Sequence, residues 1–241
     1  MSIYKECDIR GIYGKELTPD LAYLIGRAIG SMMAGGNLAV GGDIRISTPV
    51  LKSKLIGGLM DSGANVVDLG MVPTPVFYYA LTHIGVEGGV TVTASHNPPE
   101  YNGFKLVLGD LPVTPEIIEE IKKRVEDKNF TNGTGKYSKT DVLESYKKSL
   151  LDTFHTGTLK VVIDCGNGAM SEIAPFIFKK LGYDVYPLFC EYDGTFPNRS
   201  PNPAVYDNLK KLCTVVRSEN ANLGIAFDGD GDRVVFVDDS G

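Results

Sequence analysis

Short apolar segments alternate with longer amphipathic segments along most of this 241-residue chain. The apolar run Leu38–Val40 is followed by a helical pattern over Pro49–Asp61. The run Asn65–Leu69 is followed in the same way by a helical pattern over Pro75–Thr82. Such alternation is typical of strands joined by helices that cover a parallel or mixed sheet. It therefore predicts an α/β fold with helices flanking each sheet.

A polar segment interrupts this alternation near the middle of the chain. Residues 129–139 (NFTNGTGKYSK) are rich in Asn, Gly, Thr and Ser, which is typical of a surface turn or linker. We expect one domain over residues 1–139 and a second over residues 140–241, each with its own mixed or parallel sheet. The last predicted strand, Arg233–Val237, is followed only by the turn-like Asp238–Gly241. Because no returning strand follows, we expect the second domain to be truncated.

The other predicted elements complete the two domains. In the first they are strands Val90–Thr93 and Phe104–Leu108 and the helix Pro115–Lys128, with Thr114 as its N-cap. In the second they are helices Asp141–Phe154, Glu172–Leu181 and Asp207–Glu219 and strands Lys160–Asp164, Asp184–Leu188 and Leu223–Phe227.

Charge and composition exclude some classes of partner. The chain has 24 Lys and Arg against 30 Asp and Glu, a net charge of -6, with no basic stripe that could neutralise a nucleic-acid backbone. No run of 18 apolar residues suggests a membrane span, and the N-terminus lacks the apolar region of a signal peptide. We therefore expect no nucleic acid or membrane partner. An anionic substrate would require local basic groups or a metal ion.

The four cysteines are widely separated. Cys7, Cys165, Cys190 and Cys213 show no CxxC or Cys/His spacing, so they indicate neither a zinc site nor a disulfide framework. This usage favours a reducing compartment, and we expect a cytoplasmic protein.

Residues 91–105 (TVTASHNPPEYNGFK) place chemically active side chains in a loop after a strand. Open α/β sheets bind ligands at the carboxyl ends of their strands. Ser95 could act there as a nucleophile, with His96 adjacent and Lys105 able to orient or neutralise a phosphate. An Asn-Pro turn with a loop-capping serine explains the same composition equally well.

The segment Asp228–Arg233 (DGDGDR) follows an apolar strand and carries three alternate carboxylates. In an extended segment Asp228, Asp230 and Asp232 would share one face, and the glycines between them let the chain curve so that the oxygens converge. Three hard oxygen ligands suit Mg²⁺. A solvated acidic turn is the plainer alternative, although three close carboxylates are costly without a cation. An EF-hand calcium loop fails because Arg233 stands where Gly is required and Asp239 where Glu is required.

Both segments resemble motifs of one enzyme family. Thr93–Pro98 (TASHNP) resembles the phosphoserine loop of the α-D-phosphohexomutase superfamily, and Pro99–Lys105 is similar to its phosphomannomutase/phosphoglucomutase branch. Asp228–Arg233 resembles the family's metal loop, and Cys7–Gly11 (CDIRG) resembles its N-terminal (Y/F)DIRG motif. The resemblance extends from Tyr4 to Val237.

This resemblance implies roles for eight residues. Ser95 would carry the phosphoryl group, and it joins the three aspartates of the DGDGDR segment in the expected metal site. His96 and Lys105 would lie near Ser95, Arg10 would reach the phosphoserine, and Arg233 would lie beside the metal ligands. The expected metal ligands are Ser95, Asp228, Asp230 and Asp232.

The resemblance also implies an activity, the interconversion of hexose 1-phosphates and 6-phosphates through a phosphoserine and a bisphosphorylated sugar. It implies Mg²⁺ as cofactor and a hexose 1,6-bisphosphate as activator. The family has four domains, and neither the sugar-recognition loop (GExSGH) of the third nor the phosphate loop of the fourth occurs here. We therefore expect a fragment that lacks full activity and partners with the missing C-terminal domains.

Two other functions stay open. A metal-dependent phosphatase would use an aspartate nucleophile from the DGDGDR segment, and a non-catalytic module would only bind metal or sugar phosphate. Two departures from familiar patterns also stand out. Gly42 replaces the first Arg of a GRDxR segment, and Asp164–Gly168 (DCGNG) lacks the third glycine of a dinucleotide fingerprint, so it predicts a tight turn.

Overall fold

The computed structural model describes residues 3–109 and 111–241 of the chain. These divide into two compact units, each with its own sheet and flanking helices. Unit 1 comprises Met1–Ala94 and Glu100–Asp141, and unit 2 comprises Ser95–Pro99 and Val142–Gly241. The predicted α/β fold is therefore confirmed.

Unit 1 contains a mixed sheet and four helices among its described residues. The sheet order is β1-β5-β4-β2-β3-β7, with β6 paired to β5. In chain order the elements are β1 (Asp8–Ile12), α1 (Pro19–Met32), β2 (Asn37–Gly42), α2 (Thr48–Asp61), β3 (Asn65–Met71), α3 (Thr74–His83), β4 (Gly88–Val92), β5 (Tyr101–Leu108), β6 (Leu111–Pro112), α4 (Pro115–Asp127) and β7 (Tyr137–Lys139).

The middle of this sheet is parallel and one side of it is antiparallel. Strand β2 lies between β3 and β4 and runs parallel to both. Strand β5 runs antiparallel to both β4 and β1, so Arg10 of β1 lies opposite Gly103 of β5. All five residues of β4 are buried, as expected for a central strand covered on both faces.

Helix α1 begins with a strong local signal. The side chain of Thr18 accepts a hydrogen bond of 3.2 Å from the backbone N–H of Leu21, and Pro19 occupies the first turn. Helices α1 and α2 then approach closely because glycines face the partner backbone. A Cβ atom on Gly58 would lie 2.1 Å from the carbonyl oxygen of Tyr23, so a side chain there would force the helices apart.

The surface segment 129–139 is attached to unit 1 by several contacts. Its last three residues form β7, which pairs in parallel with β3. The N–H of Gly135 donates a hydrogen bond of 2.8 Å to the carbonyl of Met60. Arg27 reaches the carbonyl of Thr131 and the side chain of Asn132, both at 2.8 Å. The segment is mostly exposed, as its polar composition predicts, and backbone pairing and one arginine hold it against unit 1.

Unit 2 contains a four-stranded sheet in the order β11-β10-β8-β9. Strands β8, β9 and β10 are parallel, and β11 returns antiparallel to β10. The predicted helix over residues 207–219 begins instead with a 3₁₀ turn over Tyr206–Leu209. The elements are α5 (Leu143–Thr153), β8 (Lys160–Asp164), α6 (Ile173–Lys180), β9 (Asp184–Leu188), α7 (Lys210–Ser218), β10 (Leu223–Phe227) and β11 (Val234–Asp238).

Helix α7 covers part of this sheet. Its apolar residues Leu212, Val215 and Val216 are buried together with Val162 and Ala226 of the sheet. This packing fixes the end of β10, where the DGDGDR segment begins. Within the described part of the chain, no helix combines the length and apolar character needed to cross a membrane.

Candidate active site

Ser95 lies in a sharply turned loop within unit 2. Its backbone φ is 54°, in the left-handed region that non-glycine residues seldom adopt, and its side chain is fully buried. The hydroxyl Oγ donates a hydrogen bond of 2.9 Å to Oδ2 of Asp228. The structure thus brings the predicted phosphoryl carrier directly to the predicted metal loop.

The DGDGDR segment connects β10 to β11 as a tight turn rather than an extended strand. The N–H of Gly231 bonds to the carbonyl of Asp228 at 3.2 Å, and the N–H of Asp228 bonds to the carbonyl of Arg233 at 3.1 Å. Gly231 has a φ of 79°, which explains a glycine at this position. The segment is therefore not extended, and the glycines between the aspartates let it curve, as expected from the sequence. The turn itself makes them converge.

Three carboxylates meet in this turn. One oxygen from each of Asp228, Asp230 and Asp232 lies within 4.8 Å of the others. Burial, followed by repulsion from Asp230 and Asp232, raises the pKa of Asp228 to about 7. A divalent cation would offset this repulsion, and carboxylate oxygens are the ligands that Mg²⁺ prefers. The donor set therefore fits the expected metal.

Backbone donors hold Asp228 in place. Its Oδ1 accepts hydrogen bonds from the N–H groups of Gly231, at 3.0 Å, and Arg233, at 3.1 Å. Its Oδ2 accepts a hydrogen bond from the Ser95 hydroxyl. Because each carboxylate oxygen has at least one fixed donor, the carboxylate is oriented before any ligand arrives.

Arg233 links the serine loop to the carboxylates. Its Nη2 contacts Ser95 Oγ and His96 Nδ1, and it lies 3.1 Å from Asp228 Oδ2. Its Nε lies 3.6 Å from Asp232 Oδ1. The Arg233 side chain is 48% exposed, so its guanidinium can still meet an anionic ligand. Ser95, His96 and Arg233 thus occupy one site with the predicted metal ligands.

Arg10 and Lys105 belong to unit 1. In the β1–β5 pairing, Arg10 lies opposite Gly103 and Asp8 lies opposite Lys105, so the side chains of Asp8, Arg10 and Lys105 share one sheet face. Nη2 of Arg10 forms an ion pair of 2.6 Å with Asp8. The action of these two basic residues at the phosphoserine stays a prediction.

The segment that resembles GRDxR forms a buried network in unit 1. Nε of Arg45 lies 3.1 Å from Asp43 Oδ2, and both side chains are fully buried. Asp43 also accepts hydrogen bonds of 2.7 Å from the hydroxyls of Thr48 and Thr93. A Cβ atom on Gly42 would lie 2.5 Å from Thr48 Cγ2, which leaves little room for the arginine of the family pattern.

Arg199 is a residue of this site that the sequence did not reveal. Its buried guanidinium forms a 2.8 Å ion pair with Asp164 and donates at 2.7 Å to the carbonyl of Phe227, immediately before Asp228. The Asp164–Gly168 segment is a tight turn, as predicted, with φ values of 52° and 61° at Gly166 and Asn167. No local pattern marked Arg199, because its role arises from packing between distant segments.

The chain matches two family models over most of its length. The model described as phosphoglucomutase/phosphomannomutase, alpha/beta/alpha domain I, matches residues 1–132. The model for alpha/beta/alpha domain II of the same family matches residues 140–241.

Named relatives agree with these matches. The phosphomannomutase/phosphoglucomutase of Pseudomonas aeruginosa is 48% identical over 244 residues, which cover 100% of this chain and 53% of that protein. The phosphoglucomutase of Neisseria meningitidis is 41% identical, covering 99% of this chain and 53% of that protein. A crystal structure of a phosphoglucomutase/phosphomannomutase family protein from Burkholderia thailandensis has a TM-score of 0.94 at 41% identity, covering 99% of this chain and 55% of that one. The chain thus spans about half the length of these relatives, and it belongs to the phosphoglucomutase/phosphomannomutase family.

Proposed function

We propose that Ser95 carries the phosphoryl group in a mutase reaction that interconverts hexose 1-phosphates and 6-phosphates. One observation carries this proposal most directly. The Ser95 hydroxyl donates at 2.9 Å to Asp228, a member of the three-carboxylate turn, and also contacts the Arg233 guanidinium. A serine held between a cation-binding cluster and an arginine is suited to carry a phosphoryl group.

The residues around Ser95 have separable tasks. Phosphoryl transfer depends mainly on positioning and on neutralising the oxygens of the transferred group. Arg233 would donate to those oxygens, and its contact with His96 Nδ1 fixes the imidazole beside the serine. Asp228, Asp230 and Asp232 would hold Mg²⁺, which supplies positive charge for the phosphoryl oxygens when bound. Asp228 would also orient the serine oxygen.

The proposed cycle moves one phosphoryl group in each direction. In the first step, the P–O bond to Ser95 breaks and a P–O bond to the free sugar hydroxyl forms, giving a sugar bisphosphate. The bisphosphate turns over in the site, and its other phosphoryl group returns to Ser95. Arg10 and Lys105 would offset charge on the phosphates during both steps. A hexose 1,6-bisphosphate would phosphorylate Ser95 initially and so act as the activator.

Substrate recognition would need residues beyond these 241. The relatives are about twice as long as the aligned region, which supports two further domains that hold the sugar ring and the second phosphate. Correct positioning can supply roughly 7–11 kcal/mol of a reaction barrier. We therefore propose that this chain can be phosphorylated but does not complete the mutase cycle alone.

Intact-mass spectrometry tests the phosphoryl carrier. The protein is incubated with Mg²⁺ and glucose 1,6-bisphosphate, and a mass increment of one phosphoryl group should appear and map to Ser95. Ser95→Ala should show no increment, whereas Ser218→Ala, which alters an exposed serine, should behave as the wild type. Phosphate on an aspartate of the turn would indicate the phosphatase instead. A protein that binds Mg²⁺ but never gains phosphate would be a binding module.

An enzyme-linked assay tests the need for further domains. Conversion of glucose 1-phosphate or mannose 1-phosphate is measured with Mg²⁺ and bisphosphate. The assay compares this chain with a full-length family member that carries the remaining domains. We expect turnover only from the longer protein. Similar turnover by both would show that residues 1–241 hold the substrate, and the four-domain proposal would be abandoned.

A further inference from the structure

Two cysteines that are distant in sequence meet in unit 2. The sulfur atoms of Cys165 and Cys190 lie 3.1 Å apart, although neither is bonded to another cysteine. Formation of a disulfide would require the sulfurs to approach by about 1 Å, since the S–S bond is about 2.05 Å long. This pair is therefore close to bonding geometry in the reduced protein.

The parallel pairing of β8 and β9 places the two thiols together. Asp164 pairs with Leu188 at the carboxyl ends of these strands, and the N–H of Cys165 donates at 3.1 Å to the carbonyl of Leu188. Cys190 follows two residues after β9, and its sulfur lies 3.3 Å from the carbonyl oxygens of Ile163 and Leu188. Backbone contacts thus hold the sulfur of Cys190 and the main chain of Cys165 beside each other.

The two thiols differ in access. Cys165 is only 1% exposed, whereas Cys190 is partly exposed and lines a cavity of about 330 Å³. A small oxidant in this cavity would meet Cys190 first. The other residues that line the cavity are Asn167, Pro187, Phe189, Glu191 and Asn198.

The pKa values of the two thiols also differ, and the difference again favours reaction at Cys190. The hydrogen bond with Cys165 lowers the pKa of the Cys190 thiol, although burial acts in the opposite sense. Burial raises the pKa of the Cys165 thiol well above its ordinary value. Thiolate rather than thiol is the nucleophile, so Cys190 is the better first reactant.

We propose that Cys190 and Cys165 form a reversible redox site, in which Cys190 reacts with a small hydroperoxide and Cys165 closes an intrachain disulfide. Intracellular disulfides of this kind are usually transient and redox-sensing. The site is distinct from the proposed phosphoryl carrier, and its chemistry does not depend on the mutase reaction.

The chemistry balances in two steps. The Cys190 thiolate attacks one oxygen of hydrogen peroxide, an S–O bond forms, the O–O bond breaks, and the leaving hydroxide takes a proton to become water. Cys165 then attacks the sulfenic sulfur, the S–S bond forms, the S–O bond breaks, and the departing hydroxide accepts the Cys165 proton. Two thiols and one peroxide give one disulfide and two waters, and a dithiol such as dithiothreitol reverses the oxidation.

Oxidation would act on the metal loop through a short path. Cys165 begins the turn that leads to Ala169, whose N–H donates at 2.9 Å to the carbonyl of Gly229, inside the DGDGDR segment. Asp164, beside Cys165, holds Arg199, which binds the carbonyl before Asp228. Drawing Cys165 toward Cys190 would disturb these supports, and loss of supporting contacts typically lowers metal affinity by about 10-fold or more.

Thiol counting tests the proposal on the wild-type chain. The protein is treated with hydrogen peroxide, denatured, and alkylated with N-ethylmaleimide, and the peptides are identified by mass spectrometry. We expect a Cys165–Cys190 crosslinked peptide that dithiothreitol removes. Cys213, which is buried, should stay alkylatable, and exposed Cys7 reports that the oxidant is active. The Mg²⁺ affinity of the oxidised protein should be about 10-fold weaker by calorimetry.

Two variants separate the roles of the thiols. Cys165→Ser should accumulate a sulfenic acid on Cys190 that dimedone traps, and Cys190→Ser should give neither crosslink nor sulfenic acid at Cys165. Full alkylation of both cysteines after Cys7 has been oxidised would overturn the redox site. An oxidised, crosslinked protein with unchanged Mg²⁺ affinity would overturn the link to the metal loop.

Discussion

Nη2 of Arg199 donates a hydrogen bond of 2.7 Å to the backbone carbonyl of Phe227, the residue directly before the Asp228 carboxylate. The same guanidinium forms a buried ion pair with Asp164 at 2.8 Å. Burial raises the pKa of Asp164, while the charge and hydrogen bond of Arg199 lower it, so the arginine offsets a costly buried carboxylate. The entry to the metal loop thus depends on one arginine outside it.

Arg199→Met should weaken both the fold and the metal loop. Removing one partner of a buried ion pair leaves an uncompensated charge, which typically costs about 3–5 kcal/mol. Urea unfolding should show this loss, and calorimetry on the folded fraction should show weaker Mg²⁺ binding. Arg217→Met is the matched control because Arg217 is exposed and donates to the carbonyl of Gly241. Equal losses in the two variants would contradict the role given to Arg199.

Asp230→Ala should strongly lower Mg²⁺ affinity, because it removes one of three carboxylates whose oxygens lie within 4.8 Å of one another. Asp239→Ala should change little, since Asp239 is an exposed carboxylate in the turn after β11. Calorimetric titration with Mg²⁺ or Mn²⁺ compares the two variants. If both bind as well as the wild type, the metal lies elsewhere.

The stability of the metal-free protein should fall as the pH rises toward neutrality. The pKa of Asp228 is raised to about 7 in the folded chain, so protonated Asp228 stabilises the fold below its ordinary pKa of 3.8. This contribution, on the order of a few kcal/mol, is lost as the pH rises through about 7. Urea unfolding in EDTA between pH 4 and 8 measures the slope.

Mg²⁺ should reverse this trend, since the cation favours the ionised carboxylates and therefore stabilises the fold more at pH 8 than at pH 5. Asp228→Asn should flatten the metal-free profile, whereas Asp239→Asn should leave it as in the wild type. A metal-free profile that rises between pH 5 and 8 would contradict the raised pKa.

Two neighbouring glycines of α2 should respond oppositely to the same substitution. A Cβ atom on Gly58 would lie 2.1 Å from the Tyr23 carbonyl oxygen, so Gly58→Ala should destabilise unit 1 by about 1–3 kcal/mol. On Gly57 the nearest contact is 3.9 Å, so Gly57→Ala should be stabilising by roughly 0.5–1 kcal/mol through helix propensity. Thermal unfolding distinguishes them, and equal shifts would refute the close packing of α1 and α2.

The strands of unit 2 show how far apolar patterning can predict a fold. Lys160–Asp164, Asp184–Leu188 and Leu223–Phe227 were predicted with the bounds that the structure shows. The apolar residues of the first and third of these strands are mostly buried, so sequence and burial agree there. The second strand, Asp184–Leu188, lies at the edge of the sheet, and only Leu188 is buried in it. Strand β1 is missing from the predicted elements because DIRGI has little apolar character, and its conformation comes from pairing with β5.

The residues of the candidate site were predicted from the sequence better than their spatial arrangement was. The three aspartates and the glycines between them indicated a cation site in a curved segment, but the backbone hydrogen bonds that set the turn are known only from the structure. The meeting of Cys165 with Cys190, and of Arg199 with Phe227, depends on strand order and on side chains from separate segments. Such contacts cannot be predicted from the sequence before the order of the strands in the sheet is known.

The pairing of β1 with β5 sets an order of events during synthesis. Among the strands that the structure describes, the strand of Arg10 pairs only with the one formed by residues 101–108. The N-terminal segment therefore emerges from the ribosome roughly ninety residues before its partner exists, which is a non-local contact of the slow-forming kind. Until then the parallel strands β2, β3 and β4 can associate without it. One of the basic residues proposed to serve the phosphoserine is thus translated early but can take its place in the sheet only after β5 has been made.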